Sequence, residues 1–248
     1  QYLESGELTQ EEFSQGLKEG IQKGKLIPVL CGSAIQNIGV DLMLAATVKY
    51  LPSPDNRVPV MAKKIDDGSE IKRSAGGNDS ASALVFKTVA DPYAGKLTLF
   101  RTFSGTIKGD SSILNTSQGV SERVGQLYML QGKKQVPVSE IPEGEIGTVA
   151  KLKQTVTGDT FSGSDEKIIF NPIRFPVPVF SRALLPKTRA DEEKISQALQ
   201  RLTEEDPTLK VERNSQTGEL LISGLGQAHF DVTLEKLKAR FGVEVDVK

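Results

Sequence analysis

Along this 248-residue chain the spacing of hydrophobic residues changes twice, and the two changes divide the sequence into three regions. In the first region, residues 1–55, Thr9 and Glu12 have the spacing of a capping box at the start of an acidic amphipathic helix. A second helix is predicted over 38–51, where apolar residues recur at helical intervals. Pro52-Ser53-Pro54-Asp55 ends this helix and predicts a linker.

Between the two helices lies the apolar run 26–30, which is followed by the small residues Cys31-Gly32-Ser33-Ala34. This pattern predicts a buried strand that leads into a loop. Cys31 is expected to be a small buried residue at the end of that strand rather than a nucleophile. In the loop, main-chain N–H groups could approach a flat ligand closely, because no large side chain stands in the way.

The second region, residues 56–172, consists of short β-branched or aromatic runs separated by Gly and Pro. Many short strands with tight turns predict a closed antiparallel barrel. The segment 66–82 is rich in Gly, Ser and Asp and predicts a mobile loop. Its Asp66, Asp67 and Glu70 lack the spacing of a calcium loop, so we expect them to be solvated. The predicted strands cover 58–64, 83–89, 97–107, 111–114, 122–130, 146–153 and 165–170.

The third region, residues 173–248, alternates strands with two helices. A strand over 179–184 is followed by a helix over 190–205, whose apolar residues lie on one face. Two further strands flank the hairpin connection 214–218, and a second helix and a final strand complete the unit. The order β-α-β-β-α-β predicts the split βαβ, or ferredoxin-like, arrangement.

Composition narrows the possible chemistry. With 38% hydrophobic and 25% charged residues, the chain has the composition of a soluble globular protein, and no stretch is long and apolar enough for a membrane span. One Cys and one His exclude an internal disulfide and a tetrahedral zinc site built from these residues alone. His229 has no nucleophile or carboxylate at a recognisable spacing, so we expect a capping or packing role. No catalytic residue or metal ligand is predicted, which argues against a self-contained hydrolase.

Segments in all three regions match one known family, and together they span essentially the whole chain. On these segments the chain resembles an interior portion of bacterial elongation factor G. The matching segments include Pro28-Val29-Leu30-Cys31-Gly32-Ser33-Ala34, Asp91-Pro92-Tyr93-Ala94-Gly95, Thr157-Gly158-Asp159-Thr160, Leu202-Thr203-Glu204-Glu205-Asp206-Pro207-Thr208 and Ile222-Ser223-Gly224-Leu225-Gly226.

The resemblance implies a multi-domain fold. Residues 1–55 would be an α/β remnant of a P-loop GTPase domain. Residues 56–172 would be an antiparallel β-barrel of the translation-factor second-domain type, and residues 173–248 an α+β, ferredoxin-like third domain. Because the chain also lacks an initiating methionine, we expect it to be an interior fragment of a longer protein.

The resemblance also implies a nucleotide. Gly32, Ser33 and Ala34 match the last guanine-nucleotide motif of such GTPases, so in the parent protein they would contact the guanine base. The P-loop, Asp-x-x-Gly and Asn-Lys-x-Asp motifs are absent from these 248 residues. GTP and Mg²⁺ are therefore expected as cofactors of the parent, and this chain alone is expected to bind no cofactor and to be inactive.

By the same resemblance, the parent is a cytoplasmic, ribosome-dependent GTPase that promotes tRNA and mRNA translocation in protein synthesis. The ribosome, through its small-subunit RNA and proteins, is the expected partner. We expect a monomer that binds neither membrane nor DNA. Because the net charge is −1, RNA contacts would have to come from local basic residues. The candidates are Arg101, Arg123, Lys133, Lys134, Lys187 and Arg189.

Two segments depart from the family pattern. Gly226-Gln227-Ala228-His229-Phe230 stands where the family usually has Gly-Glu-Leu-His-Leu, and Leu130-Gln131-Gly132-Lys133-Lys134 replaces a usual barrel segment. An elongation-factor-G-like paralogue that acts in ribosome recycling or protection therefore stays an alternative. A stand-alone ribosome-, RNA- or protein-binding module is a second alternative, since both folds host many functions.

Overall fold

The computed structural model describes residues 6–76, 79–91, 95–132 and 134–248. The chain forms two compact units, of which the first ends at Val58 and the second begins at Pro59. The predicted domain boundaries after 55 and 172 stay a prediction.

In its described residues, 6–58, the first unit contains two helices, α1 (Gln10–Gln22) and α2 (Val40–Tyr50), and a short 3₁₀ turn (Pro54–Asn56). The Thr9 hydroxyl accepts the Glu12 N–H at 3.2 Å, and the Glu12 carboxylate accepts the Thr9 N–H at 2.9 Å. The capping box predicted from the sequence is therefore confirmed, and it satisfies N–H groups that a helix N-terminus would otherwise leave unbonded.

The strand predicted over 26–30 is not formed, and that prediction was wrong. Only an isolated bridge between Ser33 and Ile38 follows it. Ile27 and Val29 are 88% and 85% exposed, and Cys31 is exposed as well, so its predicted burial was also wrong. A strand needs a neighbour to complete its hydrogen bonds, and no other strand is found in the described part of this unit.

The second unit begins with a strongly curled antiparallel β structure, called the barrel below. Its main sheet has eight strands in the order β7-β6-β12-β3-β4-β11-β8-β9, and two small sheets have the orders β13-β1-β2 and β10-β5. The strands are β1 (Val60–Lys64), β2 (Glu70–Arg73), β3 (Ser82–Asp91), β4 (Gly95–Ser104), β5 (Thr106–Lys108), β6 (Ser111–Asn115), β7 (Val120–Val124), β8 (Leu127–Gln131), β9 (Lys134–Val138), β10 (Glu140–Pro142), β11 (Ile146–Ala150), β12 (Thr160–Ser162) and β13 (Ile168–Phe170).

The barrel core is built from residues that alternate along these strands. Val85, Phe100 and Phe161 are fully buried, and the two rings meet edge to face with centroids 5.7 Å apart. The pairing of β3 with β4 shifts register between Val85 and Lys87, which is a β-bulge.

Glycine divides two of the predicted strands. The run 97–107 breaks at Gly105, whose φ is +60° and where an added Cβ would lie 2.8 Å from the Ala81 Cα. The run 122–130 breaks at Gly125, between β7 and β8. Each interruption turns one predicted strand into two.

The segment 66–82, predicted to be a mobile loop, contains strand β2. Its residue Arg73 is only 2% exposed and forms an ion pair with Glu166. β2 pairs with β1, but its sequence Glu-Ile-Lys-Arg contains one apolar residue and no apolar alternation, so the sequence pattern missed it. Asp67 accepts the Ser69 N–H at 2.9 Å in the adjoining turn. No group of three or more metal-ligating side chains is found in the described residues.

The remainder of the second unit has the order β14-α3-β15-β16-α4-β17, called the ferredoxin-like domain below. The elements are β14 (Phe180–Pro186), α3 (Arg189–Glu205), β15 (Lys210–Arg213), β16 (Leu220–Gly224), α4 (Gln227–Phe241) and β17 (Val245–Val247). The sheet order β15-β16-β14-β17 is fully antiparallel, which is the predicted split βαβ arrangement. Leu199, Ile222 and Leu237 lie in its core. None of the helices in the described ranges is long and apolar enough to cross a membrane.

Candidate functional site

The loop that follows Cys31 is closed by its own main chain. The Ser33 N–H donates to the Ile38 carbonyl at 2.9 Å, and the Ile38 N–H donates back to the Ser33 carbonyl at 3.0 Å. A Cβ added to Gly32 would lie 2.8 Å from the Ile38 oxygen, so this position requires glycine. The close approach of the main chain therefore explains a small residue here, in addition to the predicted role in ligand contact.

This geometry limits what the loop can bind. Because the Ser33 N–H is already bonded within the loop, the exposed Ala34 and the half-exposed Ser33 side chain are the parts turned to the surroundings. None of these residues offers a carboxylate for Mg²⁺, and the Ser33 N–H is not available to a phosphate because it is already bonded. The loop fits contact with a planar base better than it fits phosphate or metal binding.

Three of the basic residues predicted for RNA contact lie on separate strands of the barrel. Arg123 is exposed on β7, and Lys134 is exposed on β9. These are the two end strands of the sheet order, and no described strand pairing joins them. Arg101 is half-buried, with its guanidinium 5.9 Å from the centre of the Phe103 ring. Lys133 lies outside the described residues.

In the ferredoxin-like domain the two remaining candidates differ in their surroundings. The Lys187 Nζ lies 3.5 Å from Glu244 and 3.8 Å from Asp246, so acidic groups partly neutralise it. Glu244 is shared with Lys238, whose Nζ lies 2.9 Å from it, and this hydrogen bond raises the pKa of Lys238. Arg189 is exposed at the first position of α3, where its charge gains nothing from the helix dipole. Arg189 is therefore the freer of the two candidates to meet an outside anion.

A carboxylate that the sequence reasoning did not single out organises one loop of the barrel. Glu122 accepts the main-chain N–H groups of Lys153, Gln154 and Thr155, at 2.6, 3.0 and 2.9 Å, and also the Thr155 hydroxyl. Burial opposes ionisation of this side chain, but the hydroxyl and the three amides outweigh it, so the pKa of Glu122 is lowered. The segment 153–155 is thereby held against β7, the strand that carries Arg123.

Asp159 completes the same loop from its other end. Its carboxylate accepts Asn115 Nδ2 at 2.8 Å, Gln118 Nε2 at 3.0 Å and the Val156 N–H at 2.9 Å. Asp159 belongs to the matching segment 157–160, and that match was the one sequence signal for this loop. Lys151 and Lys153, both exposed, are thus presented on a rigid loop rather than a free one.

The single histidine links the ends of two helices. His229 Nε2 lies 3.0 Å from Asp206 Oδ2, and His229 Nδ1 accepts the Leu225 N–H at 3.1 Å. Because Nδ1 accepts a main-chain N–H, the proton of the neutral ring lies on Nε2 and faces Asp206. His229 thus bonds the main chain just before α4, which agrees with the predicted capping or packing role. The partner Asp206 was missed, since it is 23 residues away in sequence.

Comparison with known proteins gives the family. The model of Elongation factor G domain 2 matches residues 80–164, and that of Elongation Factor G, domain III, matches residues 175–248. This chain belongs to the elongation factor G family. Arg101, Arg123, Lys134 and the loop held by Glu122 fall in its domain 2, and Lys187, Arg189 and His229 fall in its domain III.

A solved protein from Thermus thermophilus is similar over the whole chain. The identity is 32% and the TM-score is 0.77, and the match covers 100% of this chain and 34% of the other. The chain therefore spans about a third of the length of that protein. The predicted multi-domain fold, with an antiparallel β domain and an α+β domain of the elongation factor G type, is confirmed. The β domain is curled, but among the described residues no pairing joins its end strands β7 and β9, so the predicted closure of the barrel is not found.

Proposed function

We propose that this chain is an interior part of a ribosome-dependent GTPase that promotes translocation of tRNA and mRNA. One observation carries the proposal: domain 2 and domain III of elongation factor G match in succession along the chain. We further propose that the domains are 1–55, 56–172 and 173–248, with the first forming the end of the GTPase domain.

In this proposal Gly32, Ser33 and Ala34 contact the guanine base. The closed Ser33–Ile38 bridge holds the loop in shape, and its small side chains leave room for a flat ring. GTP and Mg²⁺ require a phosphate loop and metal ligands, which these residues do not supply. The chain by itself is expected to bind neither.

The ribosome contacts are proposed to come from the barrel and from the start of α3. Arg123 on β7, the lysines of segment 151–153, and Arg189 are exposed. The set also includes Arg101, Lys134 and Lys187, the last of which is partly neutralised by acidic neighbours. Lys133, which lies outside the described residues, completes it. Binding of such side chains to RNA phosphates would weaken as salt rises. In this proposal the parent is a cytoplasmic, monomeric factor that meets small-subunit RNA and protein.

The second candidate is a paralogue that serves ribosome recycling or protection. The departures at 130–134 and 226–230 favour it. One of these departures places Phe230, now a buried core residue, directly after His229. A translocation assay with the full-length protein separates the two candidates, because a paralogue would bind ribosomes without advancing the mRNA.

Ribosome pelleting of the full-length protein, with and without a non-hydrolysable GTP analogue, tests the proposal. We expect cosedimentation that increases with the analogue and decreases with salt. Arg123→Glu should weaken it, whereas the control Arg213→Glu, on β15 of the ferredoxin-like domain, should not. Absence of cosedimentation under both nucleotide conditions would refute ribosome binding. A stand-alone module would instead bind equally well with and without the nucleotide.

A further inference from the structure

The ferredoxin-like domain contacts the barrel at the end of β3, and the hydrogen bonds found there among the described residues are polar side-chain contacts. Their hydrophobic clusters share no residue: the barrel cluster contains Phe100 and Phe161, and the other contains Leu199 and Ile222. Between them, α3 lies against β3. Two domains that are joined without a common apolar core are expected to move relative to one another unless specific polar bonds hold them.

Those bonds converge on Glu205, the last residue of α3. Its carboxylate accepts Arg240 Nη1 at 2.7 Å and Nη2 at 2.9 Å, and it also accepts the Ala90 N–H at 2.5 Å. Its main-chain carbonyl accepts Lys87 Nζ at 2.9 Å. The Glu205 side chain is only 11% exposed, and that of Arg240 is 33% exposed. One residue thus joins both helices of the ferredoxin-like domain to β3 of the barrel.

Arg240 completes the contact by donating to the Ala90 carbonyl at 2.7 Å. The N–H and C=O of one strand residue point to the same side of the strand. The Glu205–Arg240 pair therefore bonds the edge of β3 that faces away from β4, in the way a residue of a neighbouring strand would. Lys96, the partner of Ala90 on β4, lies 3.9 Å from Glu204 and adds a weaker contact.

We propose that the Glu205–Arg240 pair is an interdomain latch, which holds the barrel and the ferredoxin-like domain in one arrangement and frees them to move apart when it opens. A charged pair that substitutes for a strand can be broken without exposing an apolar core. The latch goes beyond the proposed function and does not depend on it, because it is tested on the chain alone.

Nitrogen-15 relaxation on the 248-residue chain tests the latch. In the wild type we expect one rotational correlation time for the barrel and the ferredoxin-like domain. In Arg240→Ala we expect two shorter, unequal times. Hydrogen exchange at the Ala90 amide should accelerate on the order of tenfold, while the core amides of Val85 and Ile222 stay within about twofold of wild type. The matched control Arg201→Ala, on the exposed face of α3, should change neither quantity.

Two further variants guard against misfolding and indirect effects. Ala90→Pro removes a different bond of the same contact, the Ala90 N–H that Glu205 accepts, at a strand edge where proline is tolerated. It should separate the correlation times just as Arg240→Ala does. In the double variant Glu205→Ala/Arg240→Ala, the acceleration of exchange should be smaller than the product of the two single effects.

Either of two results would overturn the proposal. The first is a single correlation time in both Arg240→Ala and Ala90→Pro. The second is a uniform rise in exchange throughout the ferredoxin-like domain, which would show that the pair stabilises that domain internally and does not join it to the barrel.

Discussion

In the unit that ends at Val58, the apolar residues Ile27, Leu42 and Val48 are 88%, 68% and 87% exposed, whereas Val85 and Phe100 of the barrel are fully buried. Both regions have hydrophobic patterns that predict regular structure. The main-chain hydrogen bonds of a helix lie within its own segment, and α1 adds a capping box, although α2 begins after Gly39 without a side-chain cap. Burial and strand formation require a partner surface, which the barrel strands provide for one another. The comparison shows that a helix can form from bonds within its own segment, whereas burial and strand formation depend on a neighbouring segment.

The largest contrast is expected from truncation of the barrel core. Phe100→Ala removes a fully buried ring that packs on Phe161, so the free energy of unfolding should fall by about 3–5 kcal/mol. Urea unfolding followed by circular dichroism measures this loss. A loss below about 1 kcal/mol would mean that neighbouring side chains fill the cavity left by Phe100, or that its ring is loosely packed in the wild type.

The next effect is expected at the carboxylate that holds the 151–158 loop. Glu122→Ala leaves three main-chain N–H groups and the Thr155 hydroxyl without their acceptor, and should lower the free energy of unfolding by about 1–3 kcal/mol. Glu140→Ala, at an exposed position on β10, is the control and should stay within about 0.5 kcal/mol.

Glu122 also predicts a pH dependence. Its pKa in the folded protein is lowered, so its stabilising contribution is present above the pKa of the unfolded state and is lost as pH falls through the folded pKa. Unfolding titrations between neutral and acidic pH should therefore show a smaller acid-induced loss of stability in Glu122→Gln than in the wild type. Equal losses in the two proteins would contradict this role.

A smaller effect compares the two helix caps. Thr9 and Thr188 form the same capping box, the second with Asp191. Thr188→Ala should lower the free energy of unfolding of the ferredoxin-like domain by about 1 kcal/mol, because α3 packs in its core. Thr9→Ala should instead increase hydrogen exchange only in the first turn of α1. If both changes lowered global stability equally, the two units would unfold together.

The smallest effect is expected for Ile27→Ser in the exposed apolar run. In this chain the free energy of unfolding should change by no more than about 0.5 kcal/mol, measured by the same urea titration. The full-length protein provides the sharper comparison. A loss above about 1 kcal/mol there would show that another part of the protein covers this residue.

The predictable part of this fold depends on short sequence intervals. The cap at Thr9 and the helix faces of the ferredoxin-like domain follow from spacings of three or four residues, and the structure contains them. The barrel strands β2, β9, β10 and β12 were missed because they are only three to five residues long, too short for an alternation to stand out. In β2 the buried side chain is Arg73, which forms an ion pair with Glu166. The strand over 26–30 was predicted from apolar content alone, without the neighbour that a strand requires.

The candidate sites show the same limit. The loop after Cys31 was found because its small residues are contiguous. The Glu122 carboxylate bonds amides more than 30 residues away, and His229 bonds Asp206 across two elements. Such contacts depend on how the chain returns on itself, which no local spacing encodes. The assignment to RNA of Arg101, Arg123, Lys133, Lys134, Lys187 and Arg189 stays a prediction.

The bulge between Val85 and Lys87 determines to which side of the strand each later residue of β3 points. Beyond an inserted residue, both the side chains and the main-chain N–H and C=O groups exchange sides relative to an uninterrupted strand. If Phe86 were instead paired with Leu99 in a regular ladder, Ala90 would lie opposite Gly95, and its N–H and C=O would turn toward β4 and away from α3. A single extra residue in a hairpin thus determines which edge of β3 is available to Glu205, 115 positions further along the chain.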